Sequence, residues 1–284
     1  MKIKEVKSRA DAKEFLEVAK SLYRNDKNWI CPPDFMIEGV FDPKTNVFFR
    51  HGEAIRWILY NDNKEAIGRV AAFINRNKAF NFEQPTGGMG FFECIDDRQA
   101  AFILFDACRD WLKARGMEAM DGPINFGEND NFWGLLVEGF IPPSFGMNYN
   151  FPYYKDFFEA YGFTTYFEQV TSHLDLRKPF PERFWKIADW VRKRPGYRFE
   201  HFRWKDREKF IRDLKDIYDD AWQFHENFPP IETDDLRKSL REMKPIMVEE
   251  FIWFAYHENE PIAFLVMTPD AYEIFKHFGD FLSR

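Results

Sequence analysis

GFFECIDDRQAAFILFDACRDWLKARGMEAM, residues 90–120, reads as strand, helix and strand in one unbroken run. GFFEC is apolar enough for a buried strand, and Asp96 and Asp97 stand where a helix would begin. Ala101, Leu104, Phe105, Cys108 and Leu112 recur at helical spacing and predict a buried stripe. Gly116 follows at the position where glycine is favoured past a helix C-terminus, and MEAM supplies the next short strand. The preceding GGMG leads into a strand rather than a helix, so it reads as a loop and not as a phosphate cradle.

Working outward, PYYKDFFEAYGFTTYFEQVTSHLDL (152–176) predicts a helix that starts near Pro152 and closes at Gly162, then a final β segment. Upstream, IRWILYNDNKEAIGRVAAFI (55–74) predicts two strands joined by a polar turn. Trp29 to Phe49 reads as an irregular aromatic and proline stretch. The chain opens with a β-like run, Lys2–Val6, and a helix capped by Ser8, with Phe15, Leu16, Ala19, Leu22 and Tyr23 on one face.

That opening order recurs roughly 195 residues later. YRFEHFRW (197–204) is strand-like, the following helix carries Phe210, Ile211, Leu214, Ile217 and Tyr218, and FIWFAYHENEPIAFLVM (251–267) repeats the hairpin. Residues 1–176 are therefore expected to form one domain and 177–196 a linker helix, with 197–284 the opening part of a second copy that stops just past its hairpin. Such a chain is either truncated or carries a second unit reduced to a lid or an interface.

Lys and Arg number 40 against 47 Asp and Glu, a formal charge of −7, which argues against a nucleic-acid binder. No apolar run reaches membrane-spanning length, and MKIKEVKSRADAKEF lacks a secretory h-region. Three cysteines without metal spacing and six scattered histidines predict no metal site and reduced thiols, hence a cytoplasmic protein. Aromatic content is high, with 34 Phe, 11 Tyr and 9 Trp. Most of these rings are expected in the core, with a share in a hydrophobic binding groove or a subunit interface such as that of a homodimer.

The runs FDPKTNVFFRHGEA, IGRVAAFIN, GFFECIDD, GPINFG and YYKDFFEAYGF together resemble a bacterial branch of tandem proteins of the Gcn5-related N-acetyltransferase (GNAT) family. The resemblance covers about residues 1–176. It implies an α/β (α+β) fold with a mixed, mostly antiparallel sheet flanked by helices, followed by a partial second copy. It also implies transfer of an acyl group from acetyl-CoA or a longer acyl-CoA to a small-molecule amine or lipid-like acceptor. Some similar proteins are thought to acylate long-chain amino lipids.

Glu93 stands where the family often keeps a general base, although a lone strand Glu also reads as a structural hydrogen-bond partner. Phe158 occupies the position of the family's usual tyrosine acid, which leaves Tyr154, one turn earlier, as either the acid or part of the apolar helix face. Asn125, Glu128 and Asn129, with Tyr153, are candidate acceptor-binding groups, though turn chemistry alone would also explain the loop residues. The family's Gly-rich pyrophosphate loop is replaced by CIDDRQAAFILF, with no glycine from Phe91 to Arg115. Aspartates at that helix start would repel a second anion, so the cofactor loop is expected in a complete second copy. The rival expectations are a degenerate binding or interaction module and an aromatic-lined lipid binder without transfer activity.

Overall fold

The computed structural model describes residues 1–81, 83–127, 131–224 and 232–278. The chain divides into two compact units, Met1–Phe167 with Asp270–Arg284, and Glu168–Pro269.

The first unit begins with β1 (Lys2–Glu5) and α1 (Arg9–Leu22), followed by α2 (Asp34–Phe41). Ser8 accepts from the amide of Asp11 while the Asp11 carboxylate returns a bond to the Ser8 amide, a reciprocal cap that fixes where α1 starts. A 3-10 turn (Val47–Arg50) leads into β2 (Gly52–Tyr60) and β3 (Ala66–Asn75), then α3 (Arg76–Ala79), β4 (Thr86–Cys94), α4 (Arg98–Lys113), β5 (Ala119–Asp121) and α5 (Tyr154–Tyr161). The strands form one sheet in the order β1-β2-β3-β4-β5, antiparallel except for the parallel β4–β5 pair. This is a mixed, mostly antiparallel sheet flanked by helices, as the sequence led us to expect.

Alternation along the strands sends side chains to two cores. Trp57, Leu59, Val70, Ala72, Met89 and Phe92 meet α4 and α5 on one face, where Leu104 and Phe105 are fully buried. Ile58, Ala71 and Phe91 meet Phe15 and Leu16 of α1 and Ile37 of α2 on the other. Each large side chain so buried contributes about 1.5–3 kcal/mol.

Three expectations are corrected. The stretch 29–49 contains α2, which starts after Pro33, where a fixed φ suits a helix entry. GGMG lies inside β4, because glycine is what the packing there accepts: a Cβ on Gly90 would collide with the Ile124 carbonyl oxygen. Residues 164–176 form no strand, and the ladder closes with β5 at its edge.

The second unit contains α6 (Glu182–Arg192), β6 (Tyr197–His201), α7 (Arg207–Trp222), α8 (Thr233–Met243) and the hairpin β7 (Ile252–His257) and β8 (Glu260–Val266). Its sheet order is β6-β7-β8, antiparallel throughout. Phe202, Phe210, Ile252, Phe254 and Tyr256 form its core. The chain then returns to the first unit with α9 (Tyr272–Phe278), where Asp270 accepts from the Phe145 amide and Tyr272 packs edge-on against Phe145.

Candidate functional site

The site begins with an irregularity in β4. Arg69 pairs with Glu93 and Ala71 with Gly90, so Phe91 and Phe92 together oppose the single residue Val70. Phe91 takes φ 52° to make this bulge. Side chains after the bulge exchange faces relative to a regular strand. Phe91 therefore joins the α1 face and Phe92 the α4 face, and Glu93 points to the side of Arg69 and α1 rather than into the α4 core.

The edge of β4 is the second ingredient. β5 pairs only with Thr86–Gly88, and beyond it the Ile124 amide donates to the Met89 carbonyl. Past that point tyrosines of the α5 start take the place of a neighbouring strand. The Cys94 amide donates to the Tyr154 hydroxyl at 2.8 Å, and the Tyr153 hydroxyl donates to the Cys94 carbonyl at 2.9 Å. Buried backbone groups are thereby satisfied without a β partner. α5 is held in place by Gly162, which closes it at φ 111°.

Tyr154 then donates its proton toward Glu93 Oε2 at 2.8 Å, while Arg69 stands 3.7 Å from Oε1. The Arg69 guanidinium is anchored on the Phe15 carbonyl at 2.9 Å, and its buried Nε has no partner among the described residues. Burial pushes the Glu93 carboxyl above its ordinary value, and the pull of Arg69 downward does not cancel it. Burial, and then the neighbouring carboxylate, push the Tyr154 phenol well above its usual range. The Tyr23 hydroxyl, at the end of α1, is buried beside Glu93 and is raised for the same two reasons. A carboxyl raised in this way is a better proton acceptor than an ordinary one, whereas a raised phenol is a poorer proton donor.

Glu93, Arg69 and Tyr154 line a cavity of about 110 Å³ within the first unit. Its other walls include Cys31, Phe132, Tyr149 and Tyr272, and the Lys20–Asp34 ion pair (3.0 Å) also borders it. The structure thus brings Glu93 and Tyr154 together at the cavity, whereas Tyr153, bonded to the Cys94 carbonyl, is not among its lining residues. Asn125 is buried, its side-chain oxygen without a partner among the described residues, but it is not among the residues lining that cavity. Glu128 and Asn129 lie outside the described residues. Arg69, Tyr23 and Tyr272 escaped the sequence reading. For Arg69 a signal existed, a lone cation within the apolar run IGRVAAFI.

To hold the pyrophosphate of coenzyme A, the start of α4 would have to offer free backbone amides. Asp97 accepts from the amides of Gln99 (2.8 Å) and Ala100 (3.1 Å), so the groups an anion would use are already taken by a carboxylate. The first unit's α4 does not fit that group.

No family model matches this sequence. The chain is similar to two bacterial proteins. Protein YghO of Escherichia coli is 28% identical over 270 residues, which cover 93% of this chain and 67% of that protein. The bacterial ceramide synthase of Caulobacter vibrioides is 28% identical over 277 residues, 94% of this chain and 70% of the synthase. Among solved structures, a GCN5-related glucosamine N-acetyltransferase region of a fungal multi-domain GH3 beta-N-acetylglucosaminidase aligns with 93% of this chain and 27% of its own, at 10% identity and a TM-score of 0.47. A Trypanosoma brucei acetyltransferase aligns with 61% of this chain and 99% of its own, at 12% identity and a TM-score of 0.33.

Proposed function

We propose that this chain is the core of an acyl-CoA-dependent N-acyltransferase that forms an amide on a long-chain amine. The observation that carries the reading is Glu93, a carboxyl raised by burial and aimed into a cavity, with one oxygen held by Tyr154 and the other facing Arg69. In this role Glu93 accepts the ammonium proton of the acceptor and leaves a neutral nitrogen to attack the thioester carbonyl; the C–S bond then breaks, and coenzyme A leaves as a thiolate that takes up the second proton shed by the nitrogen. Tyr154 is spent on Glu93 and on the Cys94 amide, so it acts as a positioning residue rather than as the acid. Tyr153 is engaged by the Cys94 carbonyl, and neither it nor Asn125 lines the cavity, so neither is given a contact to the acceptor there. The similarity to a ceramide synthase supports the choice of amine, because a ceramide is the amide of a long-chain amino alcohol.

With α4 capped by Asp97, the acyl donor's phosphates need another holder, and we assign them to a complete second copy. Residues 197–269 would be that copy's opening part, since the chain from Asp270 onward belongs to the first unit. Support comes from the second unit, whose order of strand, two helices and hairpin, with sheet order β6-β7-β8, repeats that of β1, α1, α2, β2 and β3.

The test uses the protein in its longest native form, with palmitoyl-CoA as donor and sphinganine as acceptor. Amide formation is expected, with Glu93→Gln lowering turnover by about 10²–10⁴-fold while calorimetric binding of the acyl-CoA is unchanged. Glu93→Gln turning over at the unmutated rate would remove Glu93 from the chemistry. The capped α4 favours one other reading, a binding module of the same fold. Neither turnover nor acyl-CoA binding by the longest form would decide for it.

A further inference from the structure

The second unit carries a helix that the acyl-transfer reading leaves unused. None of the residues of α6 is buried. Phe184, Trp185, Ile187 and Trp190 are 42%, 63%, 56% and 56% exposed, an unusual load of open apolar surface for one helix of 11 residues. Phe184, Ile187, Ala188 and Val191 follow the i, i+3, i+4, i+7 spacing of a single stripe. Trp185 and Trp190 fall at its two margins.

Around that stripe the charge is basic. Arg183, Lys186, Arg192, Lys193 and Arg194 lie on or just past the helix, and Lys178 precedes it, together with Arg177, which is paired with Asp175 (2.8 Å). Glu182 and Asp189 are the acidic residues of α6, and they are engaged by Lys186 (3.2 Å) and Arg192 (2.9 Å). The guanidinium of Arg194 lies 3.8 Å over the Trp190 ring and that of Arg183 lies 4.9 Å over Phe184, so cations sit beside the apolar face. This positive segment belongs to a chain whose formal charge is −7.

We propose that α6 docks flat on the surface of an anionic lipid bilayer. At roughly 16 Å the helix is far too short to cross a hydrocarbon core of about 30 Å, and no helix among the described residues is long and apolar enough to do so. An interfacial helix needs an apolar stripe to sink among acyl chains, tryptophans at the headgroup level and cations for the phosphates. α6 supplies all three. A protein groove would use the stripe but gives no role to cations on its flanks. The inference stands on α6 alone, and binding rather than turnover measures it.

The experiment is co-sedimentation of the purified full chain with vesicles of phosphatidylcholine alone and of phosphatidylcholine mixed with phosphatidylglycerol. The chain should pellet with the mixed vesicles, and less so as salt is raised. Lys193→Gln with Arg194→Gln should weaken partitioning by about 30-fold, from roughly fivefold per basic residue lost. Trp185→Ser with Trp190→Ser should weaken it at least as much, with circular dichroism confirming that both variants stay folded. Failure of the unmutated chain to pellet, or equal pelleting with both vesicle types, overturns the proposal. So does an ultracentrifugation result in which the same tryptophans hold two copies of the chain together.

Discussion

Glu93 keeps its proton to a higher pH in the folded chain than in the unfolded one, since burial raises it above the ordinary 4.5. Below 4.5 both states are protonated. Between that value and the raised one the folded chain holds the extra proton, so stability falls as pH rises through this window and then levels off. Glu93→Gln should abolish that slope. Urea titrations of both proteins at a series of pH values should show the difference growing in the variant's favour and reaching a plateau, and parallel curves would contradict the raised carboxyl. Glu93 itself was readable in the sequence only through the family resemblance, which places a general base at that point of the strand. Tyr154 was readable too, but its pairing with Glu93 was not, nor was the place of Arg69 and Tyr23 beside it, because these residues come from α5, β3 and the end of α1 and meet Glu93 only through tertiary packing. The direction in which Glu93 points depends on one extra residue in β4, which no periodicity reveals.

At the level of elements, what the sequence announced was whatever its own caps and stripes enforce. Ser8, Asp97 and Gly162 mark the ends of α1, α4 and α5 because their side chain or backbone closes the terminal groups locally. α2 and α8 went unread, since Pro33 and Glu232 give no side-chain cap. The β reading of 164–176 failed for the opposite reason, as suitable residues form no strand without a neighbour to pair with. Asp97→Ala should cost about 1 kcal/mol through loss of the cap on α4, measured by chemical denaturation. An unchanged midpoint would mean that solvent already satisfies the Gln99 and Ala100 amides.

On the scale of the whole molecule, each unit has a core of its own. Phe254 is 2% exposed, with its ring 4.9 Å from Phe210. Phe254→Ala should destabilise the second unit by about 3–5 kcal/mol. Hydrogen exchange should show amides of β6–β8 losing protection while those of β2–β4 keep theirs, and equal loss in both would deny that the cores are separate. The return of α9 to the first unit has its own implication for how the protein is made. The stretch from Glu168 to Pro269 is an insertion within the first unit, whose last wall, Tyr272, is translated about a hundred residues after α5. Drawing the ends of such a loop together costs conformational entropy, but that cost grows only logarithmically with loop length. As the chain leaves the ribosome the sheet can form early, while the cavity beside Glu93 gains its final side only when synthesis has passed through the whole second unit.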